Sequence, residues 1–142
     1  MYPIVRTTRF GAALFSVALL AACGDDQTAA DHGDFCDAME QASSLLEPNT
    51  GSPTPVGTRA RYEELSSVLD VAEREAPTTI AGDVATFATA IDNYVTALAS
   101  VDYDLDGLYS TPEGVQLADD TSHAITPAMV EHLTGPCDIS LG

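Results

Sequence analysis

Apolar residues along most of this chain recur at intervals of three and four, the period of a helix with one buried face. The first such run is Phe35, Met39, Ala42, Leu45 and Leu46. It stops at Glu47-Pro48, because a residue before proline is pushed out of the helical region. Residues 48–57 hold Pro48, Gly51, Pro53, Pro55 and Gly57 and read as a loop. A second helix is predicted from Thr58 to Glu75, with Tyr62, Leu65, Val68, Leu69 and Ala72 on its apolar face. The third pattern is the longest: Ile80, Val84, Phe87, Ile91, Tyr94, Val95 and Leu98, with Thr78 or Thr79 available as a cap. The fourth opens at Thr111-Pro112-Glu113, a cap, a proline at the first helical position and an acid in the first turn. Val115, Ala118, Ser122, Ile125, Met129 and Leu133 continue it. Pro127 inside this run must kink the helix or restart it, with Thr126 as a new cap. Gly135-Pro136 ends it.

No segment alternates with a period of two. The expectation is an all-α fold, an antiparallel four-helix bundle occupying residues 34–142. Arg59, Arg61 and Arg74 are spaced to pair with Glu63, Glu64 and Asp70 along the second helix.

The N-terminus has a different pattern. Arg6 and Arg9 precede an apolar stretch, Phe10 to Leu20, too short to remain as a membrane span. Leu20-Ala21-Ala22-Cys23 follows. This arrangement resembles a bacterial lipoprotein signal with its lipobox. The resemblance implies that residues 1–22 are a signal peptide and that Cys23 is lipidated and becomes the first residue of the mature chain. The chain would then be held on the extracytoplasmic side of the cell membrane by a lipid anchor. Residues 23–33, small and polar after the cysteine, read as a flexible tether. His32 is expected in solvent there, as are His123 and His132 further along.

Export changes the reading of the two remaining cysteines. In an oxidising compartment Cys36 and Cys137 are expected to be joined, tying the start of the first helix to the end of the fourth.

Charge narrows the partners. The 142 residues contain 22 acidic side chains and no lysine, for a formal net charge of −17. Beyond residue 22 only Arg59, Arg61 and Arg74 oppose those acids. Such a surface repels nucleic acid. Its expected partners are the membrane through the anchor, an envelope protein, or a cation.

One segment has the spacing of a metal loop. Residues 102–113 fit the calcium pattern D-x-[DN]-x-[DN]-G-x5-E. Asp102, Asp104 and Asp106 would supply carboxylates, Gly107 the turn, Leu108 its carbonyl and Glu113 a closing bidentate group. Leu105, Tyr109 and Gly114 depart from the usual pattern at positions four, eight and thirteen, and there is no second loop to pair with. Aspartate and glycine are also ordinary turn formers. No other cofactor is indicated.

No catalytic constellation is visible. His123 and His132 are nine residues apart and face opposite sides of a straight helix. There is no Gly-x-Ser-x-Gly, phosphate loop or zinc-type cysteine spacing. The chain therefore reads as a non-catalytic helical interaction module of the cell envelope, with a calcium-binding module as the alternative. The lipobox, Phe35-Cys36, Ala76-Pro77 with Ile80 and Asp83, Tyr103-Asp104 with Leu108, Pro112-Glu113 and the late Cys137 together resemble a group of small helical lipoproteins and secreted proteins of high-GC Gram-positive bacteria. That resemblance implies an envelope location and a helical fold, and no activity.

Overall fold

The computed structural model describes residues 32–47 and 53–140. The signal peptide, the lipidation site Cys23 and most of the tether expected from the sequence lie outside the described residues. Six helices follow one another: α1 (Gly33–Leu46), α2 (Pro55–Glu75), α3 (Ala81–Ser100), α4 (Leu105–Tyr109), α5 (Pro112–His123) and α6 (Pro127–Thr134). No strand occurs among the described residues. No helix among them is long and apolar enough to cross a membrane.

The first three predicted helices are present, with shifted ends. Helix α2 begins at Pro55 rather than Thr58, because Thr54 caps it and accepts a hydrogen bond from the Gly57 N–H at 3.2 Å. Thr-Pro starts α5 and α6 in the same way: Thr111 accepts from Gly114 N–H and Thr126 from Met129 N–H. Among the glycines and prolines of residues 48–57 that signal was read as loop. Neither Thr78 nor Thr79 caps α3; its N-cap is Ile80, without a side-chain bond. The C-terminus of α1 is closed from outside. Arg61 of α2 donates to the carbonyls of Leu45 and Glu47, satisfying acceptors a helix end leaves free. Its expected acidic partners on α2 are passed over, whereas Arg59 does pair with Glu63 at 2.8 Å.

Helix α1 packs on α2, α2 on α3, and α3 carries α4, α5 and α6. Their apolar faces meet in one main core around Phe35, Leu65, Leu69, Phe87, Ile91 and Leu133. A smaller cluster forms at one end of α3 from Tyr94, Leu98 and Leu108, with Tyr62 and Leu117 against it. The α3 pattern is buried from Ile80 through Leu98, apart from Val95, which is only partly buried.

The predicted fourth helix differs most. It is divided at residues 124–126, where Pro127 restarts the chain as α6. Its first half is also rotated from the expected register. Val115 is exposed, while Gly114 and Ala124 are buried and Leu117, Ala118 and Thr121 are partly buried. Small residues face inward because the chain approaches itself closely here. A Cβ on Gly114 would stand 2.2 Å from the Leu108 carbonyl oxygen, inside any tolerable contact.

Candidate functional site

The acidic segment 102–113 is organised differently from a calcium loop. Leu105–Tyr109 form the short helix α4, with Asp104 as its extended N-cap and Asp106 in its first turn. The Asp104 carboxylate caps α4, accepting from the Asp106 N–H at 3.1 Å. The Leu108 carbonyl already accepts from the Thr111 N–H at 3.0 Å and the Thr111 hydroxyl at 2.8 Å. Glu113 lies beyond that turn in the first turn of α5. The positive-φ residues are Asp102 and Tyr103, at 53° and 60°, not Gly107. There Asp102 and Tyr103 turn the chain out of α3, and the Tyr103 N–H bonds back to the Leu98 carbonyl at 2.8 Å. The Arg59 guanidinium lies over the Tyr103 ring, 5.5 Å from its centroid. Among the described residues, no group of three or more His, Cys, Asp or Glu side chains is arranged to hold a metal ion.

The two cysteines do come together. Cys36 in the first turn of α1 and Cys137 after α6 are bonded, with Cα atoms 5.2 Å apart and a sequence separation of 101. Beside this bridge the histidine expectations fail. His32 is buried, and its ring lies edge-on to His132, 5.6 Å between centroids. Phe35 meets the same His132 ring at 5.8 Å. The closure of α6 onto the start of α1, which the disulfide fixes, brings these two rings together; nothing local in either sequence segment foretells it. His132 Nε2 is buried without a hydrogen-bond partner among the described residues. Burial first, and then the neighbouring His32, hold the His132 ring below the ordinary histidine pKa of 6.5. His123, by contrast, is exposed as expected, beside Asp119 on its own helix.

Among the described residues, a cleft of about 750 Å³ lies between α1 and the α5–α6 corner. Its volume lies within the roughly 300–1,000 Å³ common to small-molecule sites. Met39 and Ala42 of α1, Phe87 of α3, and Met129 and Leu133 of α6 form an apolar floor that belongs to the main core. The rim is apolar as well. Leu46, Ile125 and Val130 line the cleft and are each 38% exposed. They account for half of the large hydrophobic side chains exposed among the described residues. The polar groups are the hydroxyls of Ser43, Ser122 and Ser140 and the carboxylate of Glu47.

The cleft has a local cause. Pro127 cannot continue α5, and α6 leaves in a new direction toward Cys137. Leu46 and Ile125, placed on core faces by their spacing, then border the opening instead of closing it. The sequence contained the break at Thr126-Pro127 but not the direction in which the chain departs. The tyrosines at the other end of α3 form a separate polar contact within an apolar cluster. The Tyr94 and Tyr109 hydroxyls are 2.9 Å apart, and burial first, then the bond to Tyr109, holds the Tyr94 hydroxyl above the ordinary tyrosine pKa. No family model matches this chain, and neither a curated protein nor a solved structure is significantly similar to it.

Proposed function

We propose that this chain is a lipid-anchored extracytoplasmic binding domain, a helical interaction module that uses the cleft between α1 and the α5–α6 corner rather than a catalytic site. The observation that carries this reading is the Cys36–Cys137 bridge. A disulfide that closes so large a part of the chain belongs to an oxidising compartment, the destination implied by the lipobox at Leu20 to Cys23. The fold would be an antiparallel four-helix bundle in which α5 and α6 share the fourth position and the bridge joins the two ends of the domain. Binding rather than chemistry is supported by the composition of the cleft. Its one ionisable side chain is Glu47, and its hydroxyls have no histidine among the lining residues to activate them.

The test is labelling with a radioactive fatty acid in a bacterial host, followed by fractionation. The wild-type chain takes up label and sediments with membranes. Cys23→Ala abolishes both. A wild-type chain that remains unlabelled and soluble would sink the anchor, and with it the envelope assignment.

A further inference from the structure

From the cleft we infer a ligand class: a single-chain amphiphile, with its alkyl chain on the apolar floor and a positively charged amine head at the rim. This rests on the cleft being the binding surface of the proposed module. Three observations select the chemistry. The floor is lined by apolar core side chains, Met39, Phe87, Met129 and Leu133, each at most 5% exposed. The exposed hydrophobics gather where they would extend that contact outward, at Leu46, Ile125 and Val130. The polar side chains among the lining residues are the Glu47 carboxylate and three serine hydroxyls, with no cationic side chain lining the cleft; the nearby Arg61 guanidinium is held by the Leu45 and Glu47 carbonyls. Ser122 already donates its hydroxyl proton to the Ala118 carbonyl at 3.1 Å, so its oxygen can accept from an ammonium N–H. A carboxylate or phosphate head would meet Glu47 and a strongly acidic protein; an ammonium meets complementary charge.

The experiment is calorimetric titration of the purified full chain with dodecylammonium and with dodecanoate, each below its micelle-forming concentration. Octyl- and decylammonium extend the series. Dodecylammonium is expected to bind more tightly than dodecanoate, and each methylene removed should weaken binding roughly three- to fourfold. The rim variant Ile125→Asn/Val130→Asn should weaken dodecylammonium by about tenfold or more, since it removes apolar contact from side chains that are 38% exposed in the cleft. Val115→Asn, on the outward face of α5 and outside the cleft, should change nothing and controls for the loss of an exposed apolar side chain as such. Glu47→Gln should narrow the preference for ammonium over carboxylate by up to about fivefold. Circular dichroism shows whether each variant is folded, and Leu46→Ser serves as a second rim variant if the double one is not. Absence of binding, equal binding in the rim variants, or tighter binding of dodecanoate would each overturn the proposal. None of those results bears on whether Cys23 is lipidated, which the labelling experiment decides independently.

Discussion

His132 stands edge-on to His32 across the junction of α6 with the start of α1, ring centroids 5.6 Å apart, and its Nε2 is buried without a partner among the described residues. Protonating His132 would place a charge against a second imidazole in an apolar corner formed with Phe35. Its folded pKa lies below 6.5, so the folded state resists a proton that the unfolded chain accepts. The sign follows from linkage: the contribution is intact above pH 6.5 and is lost as pH falls through the lowered folded value. Thermal melts between pH 7.5 and 5 should show the wild type losing stability more steeply than His132→Leu. That variant removes the unpartnered nitrogen and should be at least as stable as the wild type at pH 7. Parallel pH profiles would show that His132 is not the titrating group.

Gly114 is the most tightly enclosed glycine among the described residues. An alanine there brings Cβ against the Leu108 carbonyl and its side chain, at 2.2 and 2.8 Å in the present geometry. Helices α4 and α5 would have to separate. Gly114→Ala is expected to cost about 1–3 kcal/mol despite the better helix propensity of alanine, read from denaturant unfolding. Val115→Ala, one residue along but outward, should stay within about 0.5 kcal/mol.

The Cys36–Cys137 bridge closes a loop of sequence separation 101. Chain-entropy arguments give a bridge of that span about 4–5 kcal/mol. Reduction, or replacement of both cysteines by serine, should lower the melting temperature sharply. It should also open the cleft further, because the segment after α6 is then held to α1 by packing alone. An unchanged melting temperature would mean that packing of Phe35 and Leu133 already fixes the two ends.

Asp104 is the residue that separates a cap from a metal ligand. As the cap of α4 its replacement by alanine should cost about 0.5–2 kcal/mol, equally in EDTA and in millimolar calcium. A calcium-dependent rise in the wild-type melting temperature, lost in Asp104→Ala, would instead show a site that rearranges on binding.

The sequence by itself determined the helical class, the α3 stripe from Ile80 to Leu98, an interruption at Thr126-Pro127 and the pairing of Cys36 with Cys137; that the interruption is a restart and not a kink was decided by the fold. The sequence-determined features follow from local period, capping chemistry and cysteine count, which need no knowledge of neighbours. The register of α5 was not legible. Periodicity favours the larger apolar Val115, whereas the closeness of α4 requires Gly114 to face inward. Residues 102–113 misled for a related reason. Aspartate and glycine serve turns, caps and cation loops alike, and only the folded path from α3 through α4 spends Asp104 on a cap and the Leu108 carbonyl on Thr111. The burial of His32 beside His132 and the cleft rimmed by Leu46 and Ile125 both depend on where α6 meets α1. That contact joins residues about 100 positions apart, and its geometry is set by packing over the whole domain rather than by any one segment.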